Sequence, residues 1–260
     1  MTDSLKVRQI GQGPRRVLAL HCTLAHGGTW KGVAEALGTE NATVSAPDMV
    51  SHGQSPDWDG QGDIADHMSE ALAPLLGEAT DLIGHSFGAV LALRLALEAP
   101  EKIRSLTLVE PVFFAVAKQD DPERFATHET DAAPFAAAME RGDIALATRL
   151  FNRMWSDGAT PRWPDLPERT RRAMIRGMAI VPASAAFLYE DNAGLLIPDK
   201  IAGCRAPVTL MTGSRSHPVI PVIVAGLARR LPNARHVQVA GAGHMLPLSH
   251  PASVAAALPD

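Results

Sequence analysis

Short apolar runs alternate with longer helical patterns over much of this chain, and this alternation restricts the fold more than any other feature. Strands that are buried on both faces of a parallel sheet are short and almost wholly apolar. Helices between consecutive strands then cover the two faces of the sheet. The runs that fit such strands are residues 5–10, 17–21, 42–46, 80–84, 103–110, 208–213 and 235–240. The sequence therefore predicts an α/β fold class with a mostly parallel, doubly wound sheet.

The helical patterns lie between or directly after these runs. The clearest pattern, at residues 87–99, is rich in Ala and Leu and is stopped by Pro100. The other patterns lie at residues 29–37, 63–76, 219–231 and 252–258. Each of them follows a predicted strand, as a crossover helix does.

The alternation stops between Pro111 and Cys204. This stretch contains turn-forming Pro and Gly residues, together with helical patterns that carry many Ala, Met and aromatic side chains. Strand-like runs return after it, and these must rejoin the first sheet. We therefore predict an α/β core of residues 1–111 and 204–260, with residues 112–203 as a helical lid inserted into it. A second, independent domain is the alternative.

The composition is that of an ordinary globular protein, with 46% hydrophobic and 20% charged residues. The formal net charge is −4 and Lys and Arg form no long run, so we expect no nucleic-acid partner. No apolar stretch approaches the ~20 residues that span a bilayer, and residues 1–16 lack the apolar segment of a secretion signal. We expect no membrane partner and a cytoplasmic location.

Cysteine and histidine usage gives no sign of a disulfide scaffold or a metal site. The two cysteines, Cys22 and Cys204, are expected to be free thiols, and a bond between them is the less favoured alternative. The histidines show no ligand spacing with Cys or carboxylate residues, and no Gly-rich phosphate fingerprint is present. We expect no metal and no cofactor. The sequence leaves the oligomeric state open, including a homodimer.

Residues 84–88 read GHSFG and match the pattern G-x-S-x-G around Ser86. The match follows a predicted strand and opens a predicted helix, and that context matters more than the pattern itself. A serine in such a strained strand-to-helix turn is exposed above the carboxyl ends of the strands, and the small residues allow close backbone packing. We predict that Ser86 is a nucleophile. The alternative is a Gly-rich turn in which Ser86 only caps the helix.

Together with three further segments in the same order, this motif makes the chain resemble the α/β-hydrolase fold enzymes. The segments are LHCT at residues 20–23, PD at 47–48 followed by SHGQS at 51–55, and GAGHM at 241–245. The resemblance covers nearly the whole chain outside the predicted insertion. It implies the α/β-hydrolase fold and a serine hydrolase that needs no cofactor. We interpret Asp48 as a structural residue that holds the loop at 51–55.

A serine is a poor nucleophile unless a base lies beside it. His244 lies in a Gly-rich loop directly after the last predicted strand, from where it can reach Ser86. We predict that His244 is the general base, and an exposed loop histidine is the alternative. We interpret His21 as a residue that orients the following loop by hydrogen bonding, and His26 and His52 as neighbours of the pocket.

A tetrahedral intermediate needs N–H donors for its oxyanion. One donor is the backbone N–H of Phe87, the residue after the nucleophile, and the resemblance implies that the other is the backbone N–H of Thr23. The chain departs from the family at Cys22, where Gly is usual. Backbone donation survives that change, but the loop must accommodate a side chain. A nucleophilic Cys22 is the rival hypothesis.

The acid of the expected triad is missing from its usual place. Most family members carry an Asp after the strand that follows the insertion, but residues 211–218 read MTGSRSHP and place Ser216 there. Glu110 ends an earlier predicted strand, an arrangement that is similar to certain haloalkane dehalogenases. We favour Glu110 as the residue that orients His244. The alternatives are a Glu110 that faces solvent or caps the lid, and a Ser–His dyad without an acid.

We predict hydrolysis of a carboxylic ester, thioester or lactone through an acyl-enzyme, with a small molecule as the substrate. The aromatic and Met side chains of the insertion should in part line a modest apolar pocket. Two alternatives use the same residues: a carbon–carbon bond hydrolase or lyase, and a catalytically weak protein that binds a small ligand. Ser216 in place of Asp favours the last alternative, whereas Ser86, His244 and Glu110 count against it.

Overall fold

The computed structural model describes residues 4–156, 158 and 161–259. Residues 1–3, 157, 159–160 and 260 lie outside the described residues, so the ends of the predicted core and a short part of the predicted insertion are not covered. Within the described ranges, no helix combines the length and the apolar character that crossing a bilayer requires.

In the described residues, seven strands form a single sheet. The strands are β1 (Val7–Ile10), β2 (Arg15–Leu20), β3 (Ala42–Pro47), β4 (Thr80–His85), β5 (Ile103–Val109), β6 (Val208–Gly213) and β7 (Ala234–Val239). Their order across the sheet is β1-β3-β2-β4-β5-β6-β7. β1 pairs antiparallel with β3, and all other neighbours are parallel. The predicted fold class, a mostly parallel and doubly wound sheet, is confirmed.

Helices follow most of the strands and cover both faces of the sheet. The helices outside the predicted insertion are α1 (Lys31–Leu37), α2 (Ile64–Leu72), α3 (Phe87–Glu98), α11 (Val219–Arg230), α12 (Leu246–Ser249) and α13 (Pro251–Ala257). Those between β5 and β6 are α4 (Phe114–Asp120), α5 (Pro122–Glu140), α6 (Ile144–Met154), α7 (Glu168–Gly177), α8 (Ile180–Ala183), α9 (Ala185–Glu190) and α10 (Pro198–Ile201).

Successive residues of the buried strands point to opposite faces of the sheet, and each face has its own apolar cluster. On β2, Leu18 belongs to the cluster that includes residues of α2, α3 and α11, whereas Val17 belongs to the cluster with α1 and α13. Leu82 and Ile83 on β4 divide in the same way. Burial on both faces explains why these strands read as continuous apolar runs in the sequence.

The helices between β5 and β6 share the core of the sheet. Phe113, Trp155 and Phe187 belong to the same buried cluster as Leu108 and Leu210 of the strands. A smaller cluster of Ala138, Ala147 and Met178 lies within these helices. The main apolar cluster is therefore continuous between the sheet and the residues that connect β5 to β6.

The carboxyl ends of the parallel strands meet at one edge of the sheet, and ligands of open α/β sheets bind at that edge. Ser86 follows β4 and Glu110 follows β5, while Thr23 and His244 lie in the loops after β2 and β7. The topology therefore brings these four residues to the carboxyl edge of the sheet.

Candidate active site

Ser86 lies in a sharp turn between β4 and α3. Its φ of 57° and ψ of −118° lie outside the regions that L-residues ordinarily adopt, and its N–H donates to the carbonyl oxygen of Val109 over 2.9 Å. A Cβ at Gly84 would lie 2.1 Å from the carbonyl oxygen of Gly88, and a Cβ at Gly88 would lie 2.5 Å from that of Leu20. Only glycine fits at these two positions, so both glycines of the motif are required by close packing.

The structure brings Ser86, His244 and Glu110 together. Ser86 Oγ is 3.0 Å from His244 Nε2, and His244 Nδ1 is 3.1 Å from Glu110 Oε2. All three side chains are buried. When Nδ1 carries a proton and donates it to the carboxylate, Nε2 is left free to accept the proton of the serine hydroxyl. The arrangement has the geometry needed to activate Ser86 as a nucleophile.

Glu110 is fully buried and does not face solvent. Its Oε1 accepts hydrogen bonds from the backbone N–H of Gly213, over 2.7 Å, and from Ser216 Oγ, over 2.5 Å. Ser216 therefore binds the carboxylate instead of replacing it, and Oε2 remains available to His244. A buried carboxylate is tolerated when its oxygens accept hydrogen bonds in this way.

An apolar cavity of about 260 Å³, called the large cavity below, opens beside Ser86. Residues from the stretch between β5 and β6 form most of its wall. It is lined by Thr23, Ser86, Val112, Phe114, His128, Phe135, Ala136, Met139, Glu140, Phe151, Met154, Trp155, Val181, Pro182, Ser184, Ala185, Leu188 and Tyr189. A second space of about 70 Å³, the small cavity, shares Ser86 and Thr23 with it and is also lined by His244. Ser86 thus lies between two spaces of unequal size.

The two N–H groups predicted to hold an oxyanion are those of Thr23 and Phe87. Phe87 is the first residue of α3, where a backbone N–H has no acceptor within the helix. Thr23 lines both cavities together with Ser86. Among the described residues, neither N–H donates to a protein acceptor. Both amides are therefore free to bind a ligand oxygen.

The sequence profile of the α/β hydrolase family matches residues 17–257. This chain belongs to the α/β hydrolase family. The resemblance drawn from the four sequence segments is confirmed, and the predicted hydrolase class agrees with the membership.

Relatives of this α/β hydrolase span its whole length. The lipase LipV of Mycobacterium tuberculosis is 29% identical over 269 residues, which cover 99% of this chain and 97% of the relative. A pimeloyl-[acyl-carrier protein] methyl ester esterase of Nitrosomonas europaea is 29% identical over 249 residues and covers 95% of each chain. Among solved structures, the esterase EaEST of Exiguobacterium antarcticum has a TM-score of 0.74 at 16% identity, and the match covers 97% of this chain and 92% of that one. The last similarity shows a shared fold.

Two buried histidines of this α/β hydrolase hold the loop after β2. His21 donates from Nδ1 to the carbonyl oxygen of Cys22 over 2.8 Å, and its Nε2 accepts from the N–H of Met49 over 2.9 Å. His52 Nε2 accepts from the N–H of Leu24 over 2.9 Å. Burial lowers the pKa of His21 to about 3 and the pKa of His52 to about 4, so both stay neutral. His21 orients the loop as predicted, and His52 does the same instead of lining a cavity.

The remaining residues that the sequence analysis considered, two cysteines, an aspartate and a histidine, either have a structural role or do not contact the site. Cys22 and Cys204 are buried and unbridged, and burial raises the pKa of the Cys22 thiol to about 12. Because the thiolate is the reactive form, the structure contradicts a nucleophilic Cys22. Asp48 accepts the N–H of Gln54 over 2.8 Å and holds that loop, as predicted. His26 is exposed and lines neither cavity, which corrects its predicted place beside the pocket.

Two residues that contact His244 carried no assignment from the sequence. His85 Nε2 donates to the backbone carbonyl oxygen of His244 over 2.7 Å, and the Trp155 ring centroid lies 4.5 Å from that of His244. Burial lowers the pKa of His85 well below the usual histidine value, so it acts as a neutral donor. The position of His85 beside Ser86 was its only signal in the sequence. Trp155 is one of the aromatic side chains of the predicted insertion that were expected in part to line the pocket, but nothing in the sequence pointed to its contact with His244. Among the described residues, no group of three or more His, Cys, Asp or Glu side chains could hold a metal ion.

Proposed function

We propose that this α/β hydrolase cleaves carboxylic esters through an acyl-enzyme on Ser86. The observation that carries the proposal is the hydrogen-bonded series from Ser86 Oγ through His244 to Glu110, placed between two cavities. A Ser–His–acid series beside an apolar pocket is the arrangement that acyl transfer requires.

In this mechanism Ser86 Oγ attacks the ester carbonyl while His244 Nε2 takes the hydroxyl proton. The N–H groups of Thr23 and Phe87 bind the oxyanion of the tetrahedral intermediate. His244 then gives its proton to the leaving alcohol oxygen, and the C–O bond breaks to leave the acyl-enzyme. A water molecule, activated by His244, releases the acid. Glu110 keeps the imidazole in the productive tautomer and stabilises its charged form.

The linings of the two cavities support a placement of the two halves of the substrate. His244 must reach the leaving oxygen, and it lines the small cavity but not the large one. The alcohol part therefore occupies the small cavity of about 70 Å³, and the acyl part occupies the large cavity of about 260 Å³. This assignment favours esters of an apolar acid with a small alcohol. It agrees with relatives that are named as a lipase and as a methyl ester esterase.

The test is an isomeric pair of esters together with an active-site label. Methyl octanoate and heptyl acetate have the same atoms, but the long chain lies on opposite sides of the ester bond. We expect a fluorophosphonate probe to label Ser86, and kcat/KM to be at least about tenfold higher for methyl octanoate because the long chain fits only the large cavity.

The control is Ser86→Ala, which removes the attacking hydroxyl and should abolish both labelling and turnover. A preference for heptyl acetate would reverse the assignment of the cavities. Absence of labelling at Ser86, with no turnover of either ester, would contradict the acyl-enzyme and favour a ligand-binding protein instead.

A further inference from the structure

A pair of polar side chains interrupts the apolar wall of the large cavity. His128 on α5 and Tyr189 on α9 both line this cavity, and His128 Nε2 is 2.9 Å from the Tyr189 hydroxyl. His128 is only 1% exposed, yet its Nδ1 has no hydrogen-bond partner. Buried polar groups are nearly always paired, so an unpaired ring nitrogen beside a cavity calls for an explanation.

The pair is held in one place by the surrounding rings. The His128 ring stacks on Phe114 with 4.2 Å between centroids and 18° between planes, and the Tyr189 ring lies 4.5 Å from the same Phe114. Burial, followed by the nearby His217, lowers the pKa of His128 to about 4, and burial raises the pKa of Tyr189. Both side chains are therefore neutral near pH 7, and their contact is a hydrogen bond between neutral groups.

This hydrogen bond leaves one donor unused whichever way the proton lies. If the Tyr189 hydroxyl donates to Nε2, the neutral imidazole carries its proton on the unpaired, buried Nδ1. If Nε2 donates to Tyr189, Nδ1 keeps only a lone pair and the phenolic O–H is free to donate. An unpaired buried N–H is the costlier arrangement, so the second tautomer is favoured. Tyr189 then offers its O–H to whatever occupies the cavity.

Of the other polar side chains in the cavity wall, Ser184 and Ser86 have hydrogen-bond partners, and Thr23 and Trp155 lie beside the reaction site, where they also line the small cavity. Ser184 Oγ donates to the carbonyl oxygen of Val181 over 3.1 Å, and Ser86 belongs to the reaction site. Glu140 is exposed, and no Lys or Arg is among the lining residues. A carboxylate would find no cation there, so an uncharged acceptor oxygen suits the site better.

The Trp155 indole lies near both the His128–Tyr189 pair and the proposed general base His244. The Trp155 centroid is 4.5 Å from that of His244 and 6.1 Å from that of His128. Ser86, Trp155 and Tyr189 all line the large cavity, so an acyl chain that starts at Ser86 can run along Trp155 towards Tyr189. The polar group that Tyr189 would bind is therefore carried on the acyl chain, away from the ester carbonyl.

We propose that the Tyr189 hydroxyl, oriented by His128, binds an uncharged acceptor oxygen carried on the acyl chain of the substrate. This inference rests on the proposed ester hydrolysis and narrows its substrate class to oxygen-bearing acyl groups, such as oxoacyl chains. His128 is a positioning residue, and Tyr189 contacts the substrate.

The experiment compares methyl octanoate with methyl oxooctanoates that carry the keto group at carbon 4, 5, 6 or 7. We expect one keto position to raise kcat/KM about five- to tenfold over methyl octanoate, because it supplies the missing acceptor. In Tyr189→Phe this ratio should fall to about one, since only the hydroxyl is lost. His128→Phe should lower the ratio in the same way, and it serves as a second variant if Tyr189→Phe does not fold.

The control is Thr130→Ala, an exposed position on the same helix as His128, which should keep the wild-type ratio. Hydrolysis of methyl octanoate without a preference for any keto position would overturn the subsite while leaving the proposed ester hydrolysis intact. A preference that survives in Tyr189→Phe would also overturn it. Failure of the wild-type protein to hydrolyse any of these esters would instead contradict the proposed function.

Discussion

In the proposed mechanism, Ser216 and Glu110 share a task that a single Asp performs in most α/β hydrolases. Glu110 supplies the carboxyl group from the end of β5, and Ser216 donates to its Oε1 from the loop after β6. The backbone N–H of Gly213 binds the same oxygen. With Oε1 occupied, only Oε2 is directed to His244, so the orientation of the carboxylate depends on two neighbours that carry no charge.

Substitution of Glu110 and of Ser216 should therefore have unequal effects on ester turnover. We expect Glu110→Gln to lower kcat by about 10³-fold, because the neutral amide cannot stabilise the imidazolium. Ser216→Ala should lower kcat by about tenfold, which corresponds to the loss of one hydrogen bond to a charged group. Steady-state kinetics with methyl octanoate gives both values.

A matched control exists in the same loop. Ser214 Oγ accepts the N–H of Gly241 over 2.8 Å, and the described groups that hydrogen-bond to the Glu110 carboxylate are Gly213, Ser216 and His244, so Ser214→Ala should change kcat little. Equal losses in Glu110→Gln and Ser216→Ala would show that the two residues do not have the separate roles assigned here.

The neutral state of His52 should make the stability of the fold depend on pH. Burial holds the pKa of His52 at about 4, whereas an unfolded histidine titrates near 6.5. Below pH 6.5 the unfolded chain binds a proton that the folded chain does not, so stability falls as the pH drops from 6.5 towards 4. Over the range down to pH 5 this one residue should cost about 2 kcal/mol.

Urea denaturation of the wild type and of His52→Gln, at pH 7 and at pH 5, tests whether His52 causes this loss of folding stability. The variant is less stable at pH 7 because it loses the bond to Leu24, but its stability should fall by about 2 kcal/mol less between the two pH values. An identical pH dependence in both proteins would contradict a neutral, buried His52.

At the scale of elements, the turn from β4 into α3 is the most constrained feature. Gly84 and Gly88 approach backbone atoms so closely that neither can carry a side chain, and Ser86 adopts a positive φ between them. Strain of this kind persists only where the surrounding packing imposes it. Here β2 and β5 flank β4 on both sides, so the turn is fixed by the centre of the sheet.

Gly84→Ala should disrupt this packing. Its Cβ would meet the carbonyl oxygen of Gly88 at 2.1 Å, and backbone atoms cannot move aside as a flexible side chain can. We expect a loss of more than about 3 kcal/mol in the free energy of unfolding, measured by urea denaturation. In the control Gly77→Ala the nearest atom is 3.6 Å away, so the change should stay within about 1 kcal/mol. Similar values for both variants would contradict the close approach.

At the scale of the whole molecule, the helical stretch between β5 and β6 is joined to the sheet by polar contacts as well as by the shared core. Arg176 on α7 donates to the carbonyl oxygens of Gly53 and Ser55 and to Asp57 Oδ1, which lie in the loop after β3. This loop also contains His52 and is held by Asp48. The helix α7, which contributes Met174 to the small cavity, and the loop after β3 are therefore coupled through one side chain.

Arg176→Met should loosen α7 without unfolding the core. We expect amide hydrogen exchange in α7 to become about fivefold faster, equivalent to about 1 kcal/mol of local stability, with exchange in β4 and β5 unchanged. Mass spectrometry of peptic peptides measures both regions. Arg172→Met is the control, because within the described part of the chain Arg172 pairs only with Glu168 on its own helix. Equal exchange in the two variants would show that Arg176 does not connect the helix to the loop.

Local sequence patterns predicted the strands of this protein and singled out Ser86. The predicted strand at 208–213 coincides with β6, since burial on both faces of the sheet leaves a continuous apolar run in the sequence. The motif around Ser86 was readable because the turn needs glycine at neighbouring positions, and the loop around His244 because it directly follows the last strand. These features depend on residues that are close along the chain, so the order of the residues is sufficient to reveal them.

The tertiary structure alone decided which partners these residues meet. The sequence offered Glu110 among several alternatives, and only the pairing of β5 with β6 brings it against Ser216 and leaves Oε2 for His244. The contact between His128 and Tyr189 has no sequence signal, since the two residues lie on separate helices. Nor did any pattern show that Ser86 divides a large cavity from a small one. Such features are distances between residues far apart in sequence, and those distances are set only when the sheet, the crossover helices and the helices between β5 and β6 pack together.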